Sequence, residues 1–334
     1  MTANQSVCAI LHAPDEFASR SGMLPLAQAL GARTLFYDFT WQRLQKRSWT
    51  LGYRLRRFGN AYYGSEWNAL VPFRDERRLA RAFSKSPAKV THFMWGEFAS
   101  PRDSTPFRSP GGLVVGTFHC SARRQQSVIH PRFKLDVFDA ITLMSKTQEP
   151  FFLERGVPEE RLTTILHGVD STYFTPANRV PRNDTLRLLL VGSTERDHEF
   201  AALVMQKLPS GIATLRVCTS STQHVHYKGV RNVEVLPFLG EAAFLEEYQQ
   251  ADILFMPMLD CTANNAILES MACGTPVMVN RVGGIPEYVD SSNNIVMDDK
   301  RADEWVERLT QLAHGRDEMA AMRPAVRQWA ESFD

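Results

Sequence analysis

Short apolar or β-branched runs alternate with helical patterns along almost the whole of this 334-residue chain, and that rhythm most restricts what it can fold into. It encodes parallel strands joined by crossover helices, because parallel neighbours need a long connection and strands buried on both faces read as continuous apolar runs. In the first half the strand patterns are VCAILHA (7–13), TLFYDF (34–39), VTHFMW (90–95), LVVGTFHC (113–120), AITLMS (140–145) and LTTILHG (162–168), with helical stretches such as GMLPLAQALGA and KTQEPFFLERG between them. TPANRVPRNDT (175–185) has neither period and reads as an exposed linker. The rhythm then restarts with LRLLLVG (186–192), TLRVCTS, VEVLPFL, DILFMPM (252–258) and TPVMVN, and residues 301–334 close the chain with two helical patterns. The length is too great for one ordinary core and suits two domains of about 150 residues each. The expected fold class is α/β, with two doubly wound domains over 1–176 and 177–315 and a closing helical segment over 316–334.

Composition excludes several classes. Lys and Arg number 38 against 37 Asp and Glu, a net charge of +1, so nothing in the overall balance draws the chain to nucleic acid. The five cysteines, Cys8, Cys120, Cys218, Cys261 and Cys273, form no C-x-x-C pair and no metal-ligand spacing, which predicts reduced thiols, no disulfide and no structural metal. The N-terminal segment lacks a basic leader, and no run approaches the roughly 18 apolar residues of a membrane span, so a cytoplasmic protein is expected.

One stretch is compressed enough to position a ligand. In FMPMLDCTANNAILESMACGTPVMVNRVGG an apolar strand ends at Met258, a polar loop follows, and Asn264 or Asn265 can cap a helix running to Ala272. In open parallel sheets ligands sit where strands end at their carboxyl edge, and the free amides and dipole of the next helix attract anions. Glu269 lies just over one turn into that helix and can turn toward the same ligand, accepting hydrogen bonds as from ribose hydroxyls. Gly274 ends the helix, and Gly283 with Gly284 allows the backbone to approach a ligand where a side chain would clash.

AILESMACGTPVMVNRVGGIPEYV resembles the donor-site segment of the family 4 retaining glycosyltransferases, which have the GT-B fold, two Rossmann-like domains facing a cleft; the resemblance implies that the C-terminal helix, 316–334, crosses back to the first domain. Further pieces occur in that family's order: TFHC, DAITLMSKTQEPFF, ILHGVDSTYFTP and VEVLPFLGEAAFLEEYQQADILFMP. The resemblance implies transfer of a sugar from a nucleotide-diphosphate donor to a glycan, lipid-linked or other hydroxyl acceptor, with retention of configuration and neither cofactor nor metal required. It implies catalytic roles for His119, facing the sugar across the cleft, and for Arg196, on the diphosphate. Donor contacts fall to Glu269, Asn264, Asn265, Asp260, Thr262, Ala263, Gly192, Ser193 and His198, and, in the reduced first-domain glycine loop SRSGM, to Ser21 and Gly22. Where the family has a glutamate followed by Gly-Phe-Gly, this chain has Cys261, Thr262, Ala263 and Asn264; Asp260, or the amides of Asn264 and Asn265, are the available substitutes. That departure keeps a degenerate sugar-nucleotide-binding scaffold subunit as an alternative, alongside an epimerase or phosphorylase on the same fold. Glu287 reads as a charge on a helix N-terminus, and His167 as structural.

Outside these motifs, WQRLQKRSWTLGYRLRRF (41–58) has apolar residues at helical spacing with Arg43, Lys46, Arg47, Arg54, Arg56 and Arg57 and no acidic residue. Its stripe either packs on the first domain's sheet or forms, with the cations, a surface for a diphosphate-linked acceptor or an anionic membrane at the inner face. In the second case the protein co-sediments with vesicles containing anionic lipid and not with charge-neutral ones; equal binding to both, or to neither, rejects the membrane surface.

Overall fold

A computed structural model describes residues 6–12, 23–37, 71–97, 103–129, 131, 133–178 and 185–334. The chain divides into two compact units between Leu166 and His167. The sequence places the boundary later, at 176/177. The intervening residues are held by the chain's own C-terminus: Val169 N donates to Phe333 O at 2.9 Å and Ser171 N to Asp334 Oδ1 at 3.0 Å.

Each unit is built on a parallel sheet with six strands among the described residues. In the first, β1 (Val7–His12), β2 (Arg33–Tyr37), β3 (Val90–Phe93), β4 (Leu113–Phe118), β5 (Ala140–Leu143) and β6 (Leu162–Thr164) lie in the order β2-β1-β3-β4-β5-β6. In the second, β7 (Leu186–Val191), β8 (Ala213–Cys218), β9 (Val233–Val235), β10 (Ile253–Met256), β11 (Val277–Asn280) and β12 (Ile295–Met297) lie in the order β12-β11-β10-β7-β8-β9. The second order is that of the doubly wound dinucleotide-binding fold, with its direction of winding reversing between β7 and β10. The strand patterns of the sequence are all present, but most ladders stop short of where the patterns end. The three-residue β12 is an addition, since a run as brief as IVM carries too little pattern to separate from its surroundings.

Apolar burial on both faces explains why these strands are central. β10 and β11 are buried at every residue, as continuous Val, Ile, Leu, Met and Phe runs require. In the first unit the core is a cluster of phenylalanines, with Phe118 meeting Phe152 edge-on at 4.9 Å and Phe138 at 5.7 Å. Two glycines make room for those rings: a Cβ on Gly116 would stand 2.8 Å from the Phe138 ring, and one on Gly96 would stand 2.6 Å from Phe118.

In the second unit Trp305, on helix Ala302–His314, is fully buried between Phe200 and Phe255, edge-on at 5.3 and 5.4 Å. The last helix, Arg316–Glu331, buries Met319, Val326 and Ala330, and its Arg327 guanidinium donates to the carbonyls of Ala272 at 2.6 Å, Phe174 at 2.7 Å and Ser171 at 2.9 Å. On the Ala272 carbonyl, the last of helix Asn265–Ala272, the cation is a C-terminal cap supplied from a distance. Trp329 packs against this same core and donates through Nε1 to Tyr288 O at 2.8 Å. Trp305→Ala is expected to destabilise the second unit by about 3 to 5 kcal/mol through loss of buried area and an unfilled cavity, read as a lowered denaturation midpoint.

Candidate functional site

The reversal of winding between β7 and β10 predicts where a ligand binds: in the crevice opened as the loops after these two strands part in opposite directions. Those loops are 192–197 and 257–264, and they are stitched together. Arg196 and Met258 form an antiparallel bridge, Asp197 N donates to Pro257 O at 2.8 Å, and Leu259 N donates to Glu195 O at 2.9 Å. The stitching holds Glu195 at φ +61°, a conformation that costs a non-glycine residue free energy and that the paired loops enforce.

Arg196 occupies the centre. Its Nε donates to Val191 O at 3.0 Å, Nη1 to Thr194 O at 2.6 Å and Nη2 to Asn264 Oδ1 at 3.0 Å. The guanidinium lies against Gly192, at φ +92°, where a Cβ would come within 2.9 Å of it. Burial depresses the guanidinium's pKa, and the potentials of Cys261, Tyr248, Glu269 and Glu195 oppose that, so the charge sits in a surround of acidic and thiol groups.

Helix Asn265–Ala272 follows. Asn264 stands at its N-cap, as the sequence predicts, but its side chain does not cap; it is turned to Arg196. The helix therefore opens with its first amides uncovered by that side chain. Glu269 is only 5% exposed, and its Oε2 accepts from the Tyr248 hydroxyl at 2.7 Å. Burial and the Glu269 charge together raise the Tyr248 phenol well above 10, which keeps it a donor.

Cys261 is buried, and burial pushes its thiol up to about 12, so at neutral pH it is an uncharged S–H, donating to Thr262 O at 3.2 Å. Its carbonyl accepts from Gly284 N at 2.9 Å, and a Cβ on Gly283 would stand 2.1 Å from it. The double glycine thus admits the loop's own backbone, where the sequence suggested room for a ligand. Asp260 Oδ1 accepts from Cys261 N at 2.8 Å. Thr262 is buried, while Ala263 and Asn265 are half-buried at the same loop-to-helix junction.

Ser193 Oγ meets Thr219 Oγ1 at 2.9 Å and accepts from Ser220 N at 3.0 Å, a group of hydroxyls at the ends of β7 and β8. His198 has both ring nitrogens engaged, Nδ1 with Tyr227 OH at 2.6 Å and Nε2 with Gly192 O at 3.1 Å, so it supports the glycine turn from beneath. His167 N donates to Tyr288 OH at 2.8 Å, and Glu287 is in the first turn of helix Ile285–Tyr288.

In the first unit His119 follows β4, and its amide and that of Cys120 donate to Glu97 Oε1 at 2.6 and 2.7 Å. Burial alone would raise the Glu97 carboxyl, but the interactions with His119 outweigh it and hold it below its usual range. Ser21 and Gly22, and the six cations of 41–58, lie outside the described residues. Sequence reasoning missed Tyr248, Glu97 and Asn280, whose side-chain amide pairs with both Met258 N (2.7 Å) and Met258 O (3.2 Å) and fixes the start of the loop. Glu97 and Asn280 did carry a signal, being polar residues at the ends of apolar strands; Tyr248, inside a helix, carried none.

Residues 174–314 match the family Glycosyl transferases group 1. The whole chain has the GT-B glycosyltransferase fold. Anabaena Alr3699/HepE, solved with UDP and glucose, covers 98% of this chain and 96% of its own at a TM-score of 0.70 and 13% identity. WaaG, a glycosyltransferase involved in lipopolysaccharide biosynthesis, does so at 98% and 96%, TM-score 0.65 and 15% identity. Among curated relatives, a D-inositol 3-phosphate glycosyltransferase of Thermobifida fusca is 29% identical over 171 residues, 43% of this chain and 39% of that protein. A second, from Pseudarthrobacter chlorophenolicus, is 27% identical over 180 residues, 47% of this chain and 43% of its own length. The chain thus spans less than half the length of these relatives.

His198 also makes stability depend on pH. Burial, with help from His226 and Arg196, lowers it from 6.5 to about 4. The unfolded chain takes up this proton below 6.5 and the folded one only near 4, so stability falls as pH drops through that window. Lowering the pH from 7 to 4.5 is expected to cost about 2 to 3 kcal/mol through this group. Urea midpoints of His198→Gln should vary less with pH than those of the wild type.

Proposed function

We propose that this protein is a retaining glycosyltransferase, moving a sugar from a nucleoside-diphosphate donor to the hydroxyl of a glycan or lipid-linked acceptor in the synthesis of a cell-surface glycan or glycoconjugate. The observation that carries the reading is the pairing, within the group 1 segment, of a held guanidinium and a buried, tyrosine-clamped carboxylate at the reversal point of a doubly wound sheet. A diphosphate needs a cation and uncovered amides; a ribose needs an acceptor for its hydroxyls. Arg196 with the amides at the start of helix Asn265–Ala272 supplies the first, and Glu269 the second.

As the bond between the anomeric carbon and the diphosphate lengthens, negative charge grows on the phosphate oxygens. Pre-arranged donors aimed there lower the barrier, because they cost no reorganisation at the moment of reaction. The acceptor oxygen then bonds to the anomeric carbon from the face the diphosphate leaves, and its proton passes to the departing phosphate. Arg196 and the amides carry this charge in the proposed chemistry, which calls for no resident metal or cofactor. UDP-glucose is the first donor to test, since HepE has been solved with UDP and with UDP-glucose. The work is placed at the cytoplasmic side, with peripheral contact to the inner membrane face. Among the described residues no helix is long and apolar enough to cross a membrane.

A second reading, a sugar-nucleotide-binding scaffold that no longer transfers, is favoured by one observation: Cys261 is a neutral thiol where the resembling family has a carboxylate. An epimerase or phosphorylase is the remaining alternative on this fold.

The test is a thermal-shift panel of UDP, GDP, ADP, TDP and CMP with their sugars, followed by assay of nucleotide release. A ligand at a hundred times its Kd adds about 2.7 kcal/mol to the folded state. One nucleotide series should raise the wild-type Tm, Glu269→Ala and Arg196→Ala should lose the shift, and release of nucleotide should need an acceptor. Binding without release supports the scaffold, release without acceptor the other chemistries, and no shift with any series overturns the donor site.

A further inference from the structure

We propose that Glu97 is the positioning residue of His119, holding the imidazole in the tautomer that leaves Nε2 as an acceptor for a ligand hydroxyl. The inference rests on the proposed reading in so far as that hydroxyl belongs to the sugar or the acceptor.

The first sheet reverses its winding between β1 and β3, so residues just after β3 and its neighbour β4 stand at the edge where such folds bind ligands. Trp95, Gly96 and Glu97 follow β3 and fold back over the end of β4. Gly96 N donates to Thr117 O at 2.7 Å, and only a glycine fits beneath the Phe118 ring. This brings Trp95 flat onto His119, ring centroids 3.9 Å apart at 21°, and Glu97 to its edge.

Glu97 is 2% exposed. Burying a carboxylate is expensive unless its oxygens are satisfied. Oε1 takes the two strand-end amides of His119 and Cys120, a task a neutral amide side chain performs equally well. Oε2 is buried without a hydrogen-bond partner, 3.7 Å from His119 Nδ1. A strand-end clamp has no use for that second oxygen. A carboxylate that orients an imidazole does: its charge beside Nδ1 favours the proton on that nitrogen, and Nε2 becomes a better acceptor. The other titratable group on β3, His92, does not compete. Its Nε2 is engaged with Thr117 Oγ1 at 2.6 Å, and burial lowers it to about 4, so it stays neutral.

Glu97→Gln separates the two roles, since its carbonyl oxygen still serves both amides while its NH2 meets Nδ1 and disfavours the Nδ1–H form. Long-range 1H–15N spectra, with His119→Ala giving the assignment, should show wild-type His119 protonated at Nδ1 and this preference lost in Glu97→Gln. Turnover with the donor found by the nucleotide panel should fall at least tenfold in kcat, with the Kd for nucleotide within twofold of wild type and Glu97→Asp recovering part of the loss. An Nδ1–H tautomer absent from the wild type overturns the proposal, as does a folded Glu97→Gln with unchanged tautomer and kcat. Should Glu97→Gln fail to fold, the wild-type spectrum decides alone. Should the tautomer be present while no donor supports transfer, the pair stands and the proposed activity falls.

Discussion

A buried guanidinium bridging two loops is the contact on which the second unit's site depends. Arg196 reaches back to the end of β7 through Val191 O and forward to Asn264 at the helix entrance, so the loops after two adjacent strands behave as one piece. A cation in so enclosed a position is retained only if its donors are matched. The carbonyls of Val191 and Thr194 match two of them, and the third is given to an asparagine that would otherwise cap its own helix. The cost is a helix start left open, which is what an anion requires.

The carboxylates obey the same constraint. Glu269 is held by Tyr248 and Glu97 by two backbone amides, and in each case the fold supplies a donor from elsewhere in the chain to keep a negative charge inside. Glu97 sits just beyond the carboxyl edge of its sheet, and Glu269 on the helix that follows β10. Cys261 marks the contrast. As a neutral thiol it makes no demand of this kind, and the loop around it closes on Gly283 and Gly284 with backbone against backbone.

Much of the fold was legible because a residue's neighbours in sequence decide it. Continuous apolar runs such as LRLLLV and DILFM are strands in the structure, and the loop and helix after Met258 lie where Asn264, Gly274 and the surrounding apolar period put them. The ends of strands were read too long, as at VEVLPFL, because apolar residues continue past the last ladder bond into the loop. The role of Gly283 was misassigned for a related reason: a double glycine announces close approach without saying what approaches.

The sequence by itself determined the class of the fold, the positions of its strands and the loop from which a site is built, since periodicity and turn residues act over a few positions. Only the tertiary structure decided which strands are central, and hence that loops 192–197 and 257–264 meet. It alone joined Arg196 to Asn264, 68 residues on, His119 to Glu97, 22 residues back, and Tyr248 to Glu269, 21 residues on. Those pairings are set by sheet order, which no local pattern encodes, and by the expense of leaving a buried charge unmatched.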